Sequence, residues 1–142
     1  MTSGIIEILI ENADVIELVG SDGAQVKIYP SSSAPQNVNY PYVTVSETAL
    51  NPSLAKGCAF DYAKPRYDVL VFSRKFRQTE LIQQAIRLAL DTGEGFDTDA
   101  GVHFDQIWMI DRQDLFLPAQ GEESGLYVKR GVYEAMARER QK

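Results

Sequence analysis

The side chains best equipped for chemistry are few. Cys58 and His103 are the single cysteine and the single histidine among 142 residues. One thiolate and one imidazole cannot complete a zinc site between them, and a lone cysteine forms no internal disulfide. As a nucleophile Cys58 would need His103 as its base, with Lys56 the one basic residue near it in sequence. Isolated residues of both types ordinarily pack or meet solvent, so neither is expected to act as ligand or nucleophile. Asp97 and Asp99 are spaced like the first two ligands of a calcium loop. Val102 then stands where that loop needs glycine, and Trp108 where it needs a bidentate glutamate. A turn between helix and strand is the better reading of "GEGFDTDAGVHFD". Asp111 and Asp114 in "DRQD" could aim acids at a cleft, but in so acidic a chain a solvated strand face explains them. There is no GK[ST], no GxSxG and no glycine fingerprint between strand and helix, so nucleotide binding and triad hydrolysis lack a motif. No catalytic, metal-binding or cofactor-binding residue is predicted.

The elements that carry these groups belong to one expected domain spanning 1–142, large enough at 142 residues to fold without staples. No stretch approaches the roughly 20 apolar residues of a membrane span. The start "MTSGIIEILIENADVIELVG" lacks a basic leader region, and Glu7 and Glu11 interrupt its apolar run, so a signal peptide is not expected. The net charge of −6 disfavours stable adhesion to nucleic acid, which needs clustered cations. Acidity does suit a protein that DNA slides past, and equally suits solubility alone.

Apolar residues at 5, 6, 9, 10, 13, 16 and 19 predict one amphipathic helix from Ser3 to Val19, stopped by Gly20. "AQVKIYP" reads as a short strand. "YPYVTVSETAL" reads as a longer one, with Val43, Val45 and Ala49 opposite Tyr42, Thr44, Ser46 and Thr48. After an excursion from Asn51 to Lys64, "RYDVLVFSR" predicts its antiparallel partner. In "RQTELIQQAIRLALDTG", Leu81, Ile82, Ala85, Ile86, Ala89 and Leu90 form the apolar side of a second helix, and Glu80, Gln83, Gln84 and Arg87 its polar side. Two strands follow, "VHFDQIWMIDRQDLFLP" and "GLYVKRGVYEAMARE". The fold class is α+β: a mixed, mainly antiparallel sheet of four to five strands with two helices on one face, in the order α-β-β-β-α-β-β.

Between the first two strands, "IYPSSSAPQNVNYPYVTV" concentrates Pro30, Pro35 and Pro41. Each proline fixes its own φ and restricts its predecessor, so this bridge should be extended and stiff. Tyr29, Tyr40 and Tyr42 beside the prolines favour ring packing.

This order of elements, with "DVIELVG", "VKIYPSSSAPQNVNYPYVTVSET", "PRYDVLVFSRKFRQTELIQQAIRLAL" and "GLYVKRGVYEAM", resembles the tail completion or tail terminator proteins of long-tailed bacteriophages and prophages. The likeness runs over nearly the whole chain, apart from residues 51–64 and 117–125. It implies a structural protein without enzymatic activity or cofactor. Such a subunit forms a homo-oligomeric ring, commonly a hexamer, that caps the head-proximal end of the tail tube, ends its polymerisation and offers a surface for head–tail joining. The implied partners are the tail tube protein and the head–tail connector protein, with DNA only passing through the ring lumen and no membrane involved. The implied location is the virion tail, assembled in the host bacterial cytoplasm. Stiff loops suit a ring that must close after a fixed rotation, and tyrosine suits its contacts. On that reading Leu54, Phe60 and Tyr62 of the excursion, with Tyr29, Pro35 and Tyr40 of the proline bridge, are the candidate interface residues.

Two other readings are open: a head-closure or tail-tube protein, and a small binding or enzyme domain using Asp111, Arg112 and Tyr127 around a pocket between sheet and helices.

Overall fold

The structure, a computed structural model, describes residues 2–22, 25–33, 39–52, 62–91, 96–97, 102–118 and 125–139. The N-terminal apolar pattern folds as two helices rather than one, α1 (Thr2–Glu11) and α2 (Ala13–Val19). Asn12 causes the break. Its backbone is extended, with φ −87° and ψ 117°, and its side-chain oxygen accepts a hydrogen bond from the Val15 backbone N–H at 3.1 Å, the geometry of an N-cap. The inward face changes accordingly. Ile5, Ile8 and Leu9 are buried from α1, and Val15 and Val19 from α2, while Ala13 is exposed. Gly20 ends α2 as predicted. Its φ of +80° lies where residues with a Cβ are strained, and its N–H donates to the Ile16 carbonyl at 2.8 Å.

The predicted strand "AQVKIYP" is divided at Lys27. The strands β1 (Ser21–Asp22) and β2 (Gln25–Val26) form a separate antiparallel pair, whereas β3 (Ile28–Pro30) joins the main sheet. A 3-10 turn over Ser31–Ser33 follows. Lys27 is buried where the two parts meet. Its Nζ donates to the Asn39 carbonyl at 3.2 Å, tying together the two ends of the proline bridge, and its own carbonyl accepts from the Val43 N–H at 2.9 Å. The Tyr40–Pro41 bond within the bridge is cis.

The rest of the chain builds β4 (Tyr42–Pro52), β5 (Tyr62–Ser73), α3 (Phe76–Leu90), the two-residue β6 (Phe96–Asp97), β7 (Val102–Leu117) and β8 (Leu126–Glu139). The sheet order is β3-β4-β5-β8-β7-β6, with β3 and β4 parallel and every other pair antiparallel. The expected α+β class therefore holds, with five strands where four to five were expected, a two-residue sixth at the edge, and three helices in place of two. The excursion is shorter than its sequence implied. Asn51 and Pro52 pair with Lys64 and Ala63 as a continuation of the β4–β5 ladder, leaving only 53–61 outside the described residues.

Helices cover one face of this sheet. Val43 and Val45 of β4, Tyr67, Val69 and Val71 of β5, Phe104 and Ile107 of β7, and Tyr133, Ala135 and Ala137 of β8 meet Ile82, Ile86, Ala89 and Leu90 of α3 in one core with α1 and α2. Strand alternation puts the first set on one side of the pleat, and the 3.6-residue helical period turns the second set toward it. Across the width of the sheet, α1 packs over β3 and β4, and α3 over β5 and β8.

Candidate assembly surface

Because α3 sits over β5 and β8, the helix-side face of β7 is only partly roofed. Glu80, Gln83, Gln84 and Arg87 recur at i, i+3, i+4 and i+7 and form a second stripe on α3 beside its buried one. This stripe faces β7 across a trench of about 350 Å³, whose far wall is Met109 and Arg112 and whose end is Lys129. Gly131 pairs with Arg112 on the trench side of β8. A Cβ there would lie 2.9 Å from Cε2 of Tyr133, so the absence of a side chain admits the buried Tyr133 ring. Burial pushes the Tyr133 hydroxyl up from its usual pKa, with nearby Arg87 opposing and Asp91 adding to the shift. That hydroxyl and the Gln83 Nε2 are both buried without a hydrogen-bond partner among the described residues. Neither Arg87 nor Arg112 has an acidic partner among those residues.

Lys129 closes one end of the trench. Its ammonium is held by Asp114 at 2.8 Å and sits 4.8 Å from the centre of the Phe76 ring. Beyond it lies an aromatic end. Tyr127 meets Phe76 at 5.6 Å and Phe116 at 4.8 Å between ring centres, around a cavity of about 140 Å³. Phe116 is 54% exposed, and Phe76, Leu115 and Leu117 are also exposed.

The opposite face of the sheet carries no helix among the described residues. Tyr42 stacks on Phe72 at 4.6 Å, Tyr40 packs on Tyr42 at 5.5 Å, and Arg74 lies 4.8 Å over the Tyr40 ring. Arg130 grips Asp68 through Nε and Nη2 at 3.0 and 3.2 Å, and Arg66 reaches Glu134 at 2.9 Å. These bidentate and lateral pairs hold β5 and β8 together across the ladder.

The described residues among those singled out in the sequence lie in different parts of the fold. Tyr29 is 3% exposed, so its ring belongs to the fold's interior, whereas Tyr40 is half-buried at the surface. Tyr62 begins β5, and Leu54, Phe60 and Pro35 lie outside the described residues, as does Cys58. Among the described residues, Arg112 and Tyr127 line two different cavities and Asp111 lines neither of these. Asp111 pairs with Val132 on the open face, Arg112 lines the trench, and Tyr127 belongs to the aromatic end. His103 is bound to Asp105 at 2.9 Å and Asp97 lies in β6. No group of three or more metal-ligating side chains occurs among the described residues, and no helix among them is long and apolar enough to cross a membrane.

Nothing in the sequence marks Gln83, Arg87 and Lys129 as parts of one site. The stripe at 80, 83, 84 and 87 is legible there as polar, but its position opposite β7 depends on strand order.

No protein-family model matches the chain, and neither does any curated protein. Among solved structures, it is similar to a chain of the virion of a native gene transfer agent particle, with a TM-score of 0.66 at 16% identity. The alignment covers 97% of this chain and 94% of the other.

Proposed function

We propose that this chain is a structural subunit of a phage-like virion, and that it closes the head-proximal end of a tail tube as a homo-oligomeric ring. One observation carries the reading: its fold coincides over 97% of its length with a chain that is itself part of a virion. The surface agrees with that use. Phe76, Leu115, Phe116 and Leu117 expose apolar area of the kind that assembly contacts cover. The ring would meet the tail tube protein on one side and the head–tail connector on the other, with DNA passing through its lumen and six copies as the expected number. Its place is the virion tail, built in the bacterial host's cytoplasm.

Leu54, Phe60 and Tyr62, which fall in sequence between β4 and the start of β5, are proposed as a contact of this ring with its neighbours or the tube. Purified protein mixed with tail tubes should appear as a cap on one tube end by electron microscopy, and as a closed oligomer by native mass spectrometry. A protein that stays monomeric and never binds tube ends overturns the reading. Incorporation along the tube's length would instead mark a tail-tube protein. Replacing 53–61 by a short Gly and Ser linker should abolish capping at little cost in melting temperature, because closure entropy changes slowly with loop length.

A further inference from the structure

We propose that the trench between α3 and β7 receives the acidic α1–α2 edge of a second copy of this chain, making the head-to-tail contact from which the ring is built. The proposal rests on the ring reading above and adds the two surfaces that meet. Residues 1–26 contain Glu7, Glu11, Asp14, Glu17 and Asp22 and not one Lys or Arg, and of the two helices among them α1 packs over β3 and β4 while α2 packs on α1 and α3. Glu11, Asp14 and Glu17 are exposed there. Along the polar stripe of α3, the trench presents Arg87 and Arg112, both exposed and without an acidic partner among the described residues. Planar guanidinium groups suit carboxylates, which they can engage bidentately.

The placement of the two surfaces selects the mode of assembly. α1 covers the β3–β4 side of the sheet, and the trench lies over β7 toward its other side. The α1 surface over β3–β4 and the trench over β7 lie toward different flanks of the sheet, so they cannot face one partner together as an isologous pair requires. They make a heterologous contact, which closes into a ring when its rotation divides a full turn. Glu80 in the wall and Asp114 on Lys129 make the trench mixed in charge. That favours a protein edge carrying spaced carboxylates over a polyanion such as DNA, which would repel both.

Charge reversal tests this directly. A trench variant, Arg87→Glu with Arg112→Glu, and an edge variant, Glu11→Lys with Glu17→Lys, alter exposed side chains only. Lysines in the last turns of α1 and α2 complement the helix dipoles, so the edge variant should melt like the parent, whereas the trench variant should melt slightly lower because Arg87 stands in the last turn of α3. Alone, each should raise the protein concentration for half-maximal ring formation on tail tubes by at least about tenfold, since like charges then face each other. Mixed in equal amounts, the two should assemble again, because each reversed trench meets an unlike edge in an alternating ring. Rings of either variant alone at the parental concentration, with the parent assembling normally, would overturn the contact while leaving the ring reading intact. Failure of the parent itself to assemble would remove both. A trench variant that assembles normally but loses binding to short duplex DNA would mark the trench as a phosphate contact and also defeat the proposal.

Discussion

Lys129 and Asp114 face each other across the β7–β8 ladder with Nζ 2.8 Å from Oδ1, yet their side chains are 7% and 60% exposed. The pair is thus asymmetric: the cation depends on its partner and the anion does not. Asp114→Ala leaves a buried ammonium with only the Phe76 ring and should destabilise the fold by about 1.5–3 kcal/mol. Lys129→Met leaves a carboxylate that water already reaches and should be close to neutral. Urea denaturation of the two variants checks this, and equal losses would contradict the asymmetry.

Ile86 is 1% exposed against the sheet, while Leu88, two residues on, is 66% exposed. Ile86→Asp places an unpaired charge in the core and should leave little folded protein. Leu88→Asp should stay within about 0.5 kcal/mol of the parent. Circular dichroism melts of the two side by side measure the difference.

Gly20→Ala should cost about 1–3 kcal/mol. Space is not the cause, because the nearest atom to an added Cβ is Lys27 Cε at 3.7 Å. The cost comes from holding φ at +80° with ψ near −176°, a backbone region that only glycine enters freely. Thermal unfolding of the variant, with Gly20→Asn as a comparison that should lose a similar amount, reads the effect.

Tyr67 and Tyr133 are direct partners across β5 and β8, and burial pushes both hydroxyls well above their usual pKa. Both states are protonated below the unfolded value of about 10, so this contribution is fully present there. As pH rises beyond that value the unfolded chain releases protons that the folded one keeps, and stability falls. Tyr67→Phe should remove part of this alkaline loss, as followed by melting temperature between about pH 9 and 11. An unchanged alkaline slope would contradict the assignment to Tyr67.

Local patterns in the sequence determined much of the scaffold. The apolar period of α3, the alternation in β4 and the glycine stop at Gly20 all reappear in the structure, because each reflects contacts or backbone preferences within a few residues. The break at Asn12 is also local, yet the apolar period ran through it. One side-chain hydrogen bond to Val15 outweighed a regular pattern there. The antiparallel β4–β5 pairing was legible from the two neighbouring strand patterns, but the order of the other strands was not. β8, last in the chain, lies between β5 and β7, and that insertion brings Arg130 to Asp68, Lys129 to Asp114 and Gly131 to Arg112. The trench is its product. Residues 80–87, 109–112 and 129–131 share no motif, and their meeting depends on which strands pair and which side of the sheet α3 roofs. Short-range propensity cannot encode that choice; it is made by burying the Val, Ile and Tyr faces of distant strands against one another.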